Sequence, residues 1–270
     1  MISVVCVYNK WEVFSECLLT SLKVQTEDYE LVAIDNSKNA YKSAAQALNA
    51  GGERARGKYI MFVHQDVVLT SSSWLESAER ILDSVFDLGV AGVAGKSQKG
   101  PCTLSNIENG SPPIPAGHFR IAFPTVVQTL DECLVIVPGS VFAQHKFDEQ
   151  VCPDWHLYVV EYCLRLKQTA FQSYVIPLSL YHKSTGFPLP KAYYSTLSNI
   201  SQKYRGNYRH IYTTCGDWDT RFPPELQRTK PWMYANAVAD VVEKTFRKSH
   251  YPSDEPMGSI MRYLGRRDSG

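Results

Sequence analysis

The chain has 270 residues, 44% hydrophobic, 12% aromatic and 20% charged, which provides for one sizeable α/β core and excludes global disorder. Its 28 Lys and Arg against 27 Asp and Glu give a formal charge of +1, so no net field exists to hold a polyanion and no nucleic-acid partner is expected. No apolar run approaches the roughly 20 residues of a membrane-spanning helix.

The opening MISVVCVYNKW turns polar soon after its apolar run and has neither a basic leader nor a small-residue cleavage site, so a soluble cytoplasmic protein is expected. Seven cysteines, at 6, 17, 102, 133, 152, 163 and 215, form no CxxC pair, which suits buried thiols in a reducing compartment better than a disulfide framework. Residues 3–7 read as a β-rich strand, followed by Trp11, Phe14, Leu18 and Leu22 at helical spacing. Leu31 to Ile34 is a second strand, ended by Asp35-Asn36-Ser37 and followed by an Ala-rich helical stretch at 41–50. Tyr59 to Val63 is a third, ended by His64-Gln65-Asp66; Ser73 with Glu76 then predicts a capping box for the next helix. Val90 to Ala94 is a fourth strand.

Strands and helices alternating in this way predict a mostly parallel central sheet with helices on both faces. Ligands in such sheets lie beyond the carboxyl ends of the strands, where three successive strands here end in polar or acidic residues. Residues 96–118 lose regular pattern and read as a lid or acceptor loop. Cys133 to Val137, a helix at 155–168 and Tyr174 to Ile176 restore it. Beyond Gly186, helical stretches are expected at 191–205 and 231–247, the second opened by Pro231. A weakly ordered tail follows, with a short docking helix at 260–264.

Local chemistry alone leaves alternatives open. In an extended segment His64 and Asp66 point to one side, where one divalent ion could touch both; equally, Asp66 could cap a turn and His64 could be a core histidine. Asp35 could accept from a nucleobase imide or ribose hydroxyl, or close an Asx turn. Tyr8-Asn9 could stack on and bond a base, or simply form a strand-to-helix turn.

In order along residues 2–187, SVVCVYN, ELVAIDNS, ALNAGGERARGKYIMFVHQDV, FDEQVCPDWHLYVVEYCLRLK and YHKSTG resemble the landmarks of family 2-type GT-A glycosyltransferases. The likeness is to the branch with HQD in place of DxD, which includes rhamnosyltransferase-like enzymes of surface polysaccharide assembly. The resemblance implies an α/β, GT-A (Rossmann-like) domain over 1–187 and a helical C-terminal extension over 188–270. It implies nucleotide contacts at Val7, Tyr8, Asn9, Asp35, Lys58 and Gln65. It also implies a Mn²⁺ or Mg²⁺ site at Asp66, His64 and His182, with Ala55, Gly57, Lys58 and Tyr59 as the approach to it.

The implied reaction is metal-dependent, inverting transfer of a hexosyl or deoxyhexosyl group from a nucleoside-diphosphate sugar to a glycan or lipid-linked hydroxyl. The usual base lies on the helix at 155–168, but Val159 takes its place. Glu161 and Asp154 are the remaining candidates, against an ion pair of Glu161 with Arg165 and an N-cap role for Asp154. Asp131-Glu132 reads as a solvated pair, although in relatives that stretch faces the acceptor. His118, His145, His156, His210 and His250 read as structural or surface residues. Arg262, Arg266 and Arg267 are a small basic cluster that could touch anionic lipid or nothing at all, the second reading being favoured, with peripheral membrane contact left open. The competing function is a GT-A-like scaffold that binds nucleotide without turnover. A nicotinamide-dependent dehydrogenase is disfavoured because no GxGxxG follows the first strand.

Overall fold

The computed structural model describes residues 1–98, 102–184 and 189–228. The helix expected at 231–247 with Pro231, the segment 260–264, His250 and the three C-terminal arginines therefore lie outside the described residues. The unit considered below is Met1–Pro224.

β1 (Ile2–Tyr8) leads into a helix that begins as α1 (Trp11–Phe14), passes a π-helical turn (Ser15–Leu19) and ends as α2 (Thr20–Leu22). Phe14, Leu18 and Leu22 are buried from it, whereas Trp11 stays exposed. β2 (Tyr29–Asp35) precedes α3 (Ala44–Gly52), whose N-cap Ser43 accepts from the Gln46 N–H. β3 (Tyr59–Val63) and the short β4 (Val67–Leu69) flank the His64-Gln65-Asp66 turn. The next helix, α4 (Trp74–Asp83), has Ser73 at its N-cap but no side-chain cap bond, so the predicted capping box does not form. Gln25 supplies the missing acceptor instead, its Oε1 lying 3.1 Å from the Leu75 N–H.

β5 (Leu88–Gly92) and β6 (Ala94–Lys96) follow. The stretch read as a structureless loop contains three short strands, β7 (Thr103–Ser105), β8 (Ile107–Asn109) and β9 (Ile114–Pro115). Then come β10 (Thr125–Val127), β11 (Thr129–Leu130), β12 (Leu134–Pro138) and α5 (Gly139–Gln144). α6 (Tyr158–Leu166) starts later than the sequence implies, because Leu157 before it adopts a left-handed backbone at φ 67°. β13 (Gln172–Val175), β14 (Leu180–His182), α7 (Lys191–Tyr204), β15 (His210–Thr213) and β16 (Gly216–Asp219) complete the unit.

The main sheet has the order β10-β13-β5-β12-β3-β1-β2. β1, β2, β3, β5 and β13 run one way; β12 is antiparallel to both β3 and β5, and β10 to β13. Alternation along the strands builds a core on each face. Ile2, Val4 and Cys6 of β1 join Met61 and Ile136 on one face, while Val5 joins Phe62 and Val135 on the other. Leu197, Ile200 and Tyr204 of α7 and Trp218 of β16 belong to the second cluster. The compact unit for that reason runs to Pro224, past the division drawn from sequence after residue 187.

The direction of β12 has a functional consequence. It turns the amino end of that strand, with Asp131 and Glu132 just before it, to the edge where its antiparallel neighbours β3 and β5 have their carboxyl ends. Short pairings complete the same edge, β14 lying antiparallel to β4 with His182 opposite Val67.

Gly57, in the approach to β3, owes its identity to close backbone contact. Its N–H donates to Ser3 Oγ at 2.7 Å, and a Cβ there would lie 2.6 Å from the Ser3 nitrogen. Gly57→Ala is expected to cost about 1–3 kcal/mol, read as a lower urea midpoint with an unchanged slope.

Candidate active site at the carboxyl edge of the sheet

Three ligand-type side chains meet where β3 ends. The ligand atoms of His64, Asp66 and His182 all lie within 4.8 Å of one another. His182 Nε2 is 3.3 Å from Asp66 Oδ1 and 3.2 Å from Ser184 Oγ, and the His64 and His182 rings are 5.7 Å apart. His182 arrives there because β14 pairs with β4 and the Lys183 N–H donates to the Asp66 carbonyl at 3.0 Å.

The electrostatics of the three are linked. Burial raises the Asp66 carboxyl, but the hydrogen bond and positive charge of His182 outweigh it and hold the group below the usual carboxylate range. Burial lowers His182, and the Asp66 bond overcomes that to raise it. Burial and the neighbouring His182 push His64 down to about 4, so its imidazole is neutral and able to ligate at neutral pH.

Two cavities meet at this cluster. One, of about 380 Å³, is lined by Val7, Tyr8, Asn9, Gln65, Asp66 and Trp155, together with Asn36 and Asn39. The other, of about 500 Å³, is lined by Asp131, Glu132, His118, Tyr193, Thr214 and Cys215 among others. His64, His156 and Ser184 line both.

The expected nucleotide residues divide into two groups. Val7, Tyr8, Asn9 and Gln65 line the smaller cavity. Gln65 also fastens its floor, accepting from the Asn9 and Lys10 N–H groups at 3.1 Å each and donating to Asn9 Oδ1 at 2.8 Å. Asp35 stands opposite Tyr8 in the register of β1 and β2, but its Oδ1 closes an Asx turn with the Ser37 N–H at 2.8 Å and its side chain points to solvent. Lys58 is not at this edge. It precedes the amino end of β3, six residues from His64 or about 20 Å of extended chain, and its ammonium pairs with Asp83 at 2.6 Å.

The two candidate bases also lie elsewhere. Glu161 is fully buried, and Oε1 accepts from Lys203 at 2.7 Å, Tyr204 at 2.8 Å and Arg165 at 3.2 Å. It faces neither cavity and works as an anchor between α6 and α7. Asp154 spends Oδ1 on the Trp155 N–H at 2.7 Å and is absent from both linings. Val159 is buried in the core.

The comparisons with known proteins bear on this geometry. Residues 3–111 match the family model described as "Glycosyltransferase like family". TarS 1–349 of S. aureus superposes with a TM-score of 0.51 at 17% identity, covering 75% of this chain and 64% of that one. The mannosyltransferase PcManGT of Pyrobaculum calidifontis, solved with GDP-Man and Mn²⁺, gives 0.52 at 12% identity, covering 97% and 78%. The fold is GT-A, with a glycosyltransferase-like segment over 3–111.

A curated protein of Fuscovulum blasticum, "ATP synthase subunits region ORF 6", is 25% identical over 164 residues, 56% of this chain and 61% of its own length. This GT-A chain thus spans less than two thirds of that relative and of the TarS fragment. Among the described residues, no helix is long and apolar enough to cross a membrane.

Several lining residues of the GT-A domain escaped the sequence reading. Asn36 and Asn39 sit in the turn after β2, where Asn39 takes a left-handed backbone at φ 53°. The Asn-rich run after an acid-ended strand was the available signal. His118 and His156, read as structural, both line the larger cavity.

Glu132, read as half of a solvated pair, is mostly buried, its side chain 17% exposed. Burial, then the charge of Asp131, push its carboxyl up to about 8, against the pull of the Val159, Leu157 and Tyr158 N–H groups.

Two outcomes follow for stability. Glu161→Ala removes the carboxylate partner of Arg165, leaves Lys203 with Asp148 alone and opens a void between α6 and α7; it is expected to cost about 3 kcal/mol while leaving nucleotide affinity unchanged, as separate melting and binding titrations will show. A carboxyl raised on folding favours the native state below its unfolded value and loses that contribution as pH rises through about 8. Glu132→Gln, which cannot ionise, is accordingly expected to melt higher relative to wild type at pH 9 than at pH 5.

Proposed function

We propose that the protein is a metal-dependent, inverting glycosyltransferase that moves a sugar from a nucleoside-diphosphate donor to a hydroxyl of a glycan or lipid-linked acceptor. The single observation carrying this reading is the His64, Asp66 and His182 cluster at the junction of two cavities. The smaller cavity, with Tyr8, Trp155 and its amide side chains, suits the nucleoside; the larger suits the acceptor. The GT-A fold and the glycosyltransferase-like segment 3–111 agree with it.

Asp66, His64 and His182 fit a divalent ion in spacing and chemistry, since a carboxylate oxygen and two imidazole nitrogens converge. Two imidazoles favour Mn²⁺ over Mg²⁺, which prefers oxygen ligands and keeps its water. A bound ion would supply Lewis-acid neutralisation of the departing diphosphate. The protein's own part is positional. Gln65 holds the end of β1 against the cavity, and His64 and His156 separate donor from acceptor. We place the activity in the cytoplasm, in polysaccharide assembly of the rhamnosyltransferase-like type.

A second reading, a nucleotide-binding GT-A module without turnover, draws on one observation: the helix that carries the usual base has Val159 in its place and an anchored Glu161.

A thermal-shift panel of nucleoside diphosphates with and without Mn²⁺ tests the proposal. A ligand held at 100 times its Kd is expected to stabilise by about 2.7 kcal/mol, a rise of several degrees for a protein of this size. Asp66→Ala is expected to abolish the part of that rise that depends on Mn²⁺. If no nucleoside diphosphate shifts the wild-type melt with Mn²⁺ present, the proposal fails.

A further inference from the structure

The proposed reaction needs a carboxylate on the acceptor side of the sugar, and the helix that ordinarily provides one does not. Val159 is packed in the core, Glu161 is tied to Lys203, Tyr204 and Arg165, and Asp154 lines neither cavity. Two other acids line the larger cavity, Asp131 and Glu132. Asp131 is committed, accepting from the Cys133 N–H at 3.0 Å and the Thr214 hydroxyl at 2.9 Å. Glu132 is not, because Oε1 has no hydrogen-bond partner.

The surroundings of Glu132 have the form of a built site. The N–H groups of Leu157, Tyr158 and Val159, at the amino end of α6, face its carboxylate. Leu157 is held there in a left-handed conformation that costs a branched side chain energy and persists only where the surroundings enforce it. Oε2 lies 4.0 Å from Nδ1 of His156, a residue shared by both cavities. The carboxylate thus approaches, from β12, the same turn of α6 that Val159 leaves without an acid.

Resting on the glycosyltransferase reading, we propose that Glu132 is the catalytic base of the transfer. As the acceptor oxygen forms its bond to the anomeric carbon, Glu132 takes the hydroxyl proton. The bond from that carbon to the diphosphate oxygen breaks, and its electron pair leaves with the nucleoside diphosphate. No further reactant is required.

The titratable groups around Glu132 come from several elements. Asp131 stands beside it, Cys152 and His156 come from the segment before α6, Tyr158 from its first residue, Tyr193 from α7 and Cys215 from the β15–β16 turn. Of these, only His156 can become a cation, and burial lowers it. Burial of Glu132 raises it toward the operating range of a base.

The test measures Mn²⁺-dependent nucleoside diphosphate release from a panel of UDP- and GDP-sugars, with water as acceptor, beside the melting shift given by UDP or GDP with Mn²⁺. For Glu132→Gln the shift is expected to persist while release falls at least 100-fold, within the range of about 10²–10⁴ for lost base catalysis. Wild-type kcat/KM should rise with pH toward 8 and lose that rise in Glu132→Gln. Glu132→Asp, which keeps the carboxylate, should retain the rise at reduced rate. Release by Glu132→Gln within threefold of wild type overturns the assignment. So does a wild type that shifts with nucleotide yet turns over none of the donors, which would leave a binding module. A wild type that shows no shift at all defeats the glycosyltransferase reading itself.

Discussion

The contact on which the site depends is that between Asp66 and His182. A largely buried carboxylate is costly unless hydrogen-bonded or paired, and His182 Nε2 at 3.3 Å meets that need. The two residues are far apart in the chain and meet through one short antiparallel pairing, β14 on β4, with His182 opposite Val67. His64 is held separately, just past the fully buried β3, by the pairing of β3 with β12, its N–H donating to the Cys133 carbonyl at 2.9 Å. His182 ends β14, while His64 and Asp66 lie in the three-residue turn between β3 and β4, where the bonds from His64 N–H to Cys133 and from Lys183 N–H to the Asp66 carbonyl hold the turn to its neighbours.

Strand direction then distributes the remaining chemistry. Parallel strands deliver their carboxyl ends to one edge, as in other open α/β sheets. β12, running the other way between β3 and β5, delivers its amino end. The smaller cavity is accordingly built from the ends of β1 and β3 and the turn after β2, and the larger one takes its acids from the approach to β12. A single displacement requires donor and acceptor on opposite sides of one carbon, and a partition formed by His64, His156 and Ser184 suits that requirement.

Much of this was legible in the chain. β1, β2 and β3 announced themselves by short β-rich runs ending in polar residues, and the resemblance put Asp66, His64 and His182 into one constellation. What could not be read was direction and partnership. Lys58 and His64 are neighbours in sequence but lie at opposite ends of one strand. Glu161 was legible as either a base or the ion-pair partner of Arg165; the ion pair is present, and the partners that complete its burial, Lys203 and Tyr204, come from a helix beyond the division drawn after residue 187. Ser73 had the right spacing for a capping box, yet a distant Gln25 took the task. Asp131-Glu132 looked solvated because nothing local shows that the following strand is antiparallel and carries the pair into a cavity.

The larger cavity extends the same logic past residue 187. Tyr193 comes from α7, and Thr213, Thr214 and Cys215 come from the β15–β16 hairpin. That hairpin is bound to β11 and its approach: Gln128 donates to the His210 carbonyl and accepts from the Tyr212 N–H, Thr129 donates to the Tyr212 carbonyl, and Thr214 donates to Asp131. The last bond occupies Asp131 and leaves Glu132 as the carboxylate with an unused oxygen. The segment that shapes the proposed acceptor space thus also decides which of two adjacent acids keeps an unused oxygen, so that the proposed acceptor space and the proposed base are linked through one threonine hydroxyl.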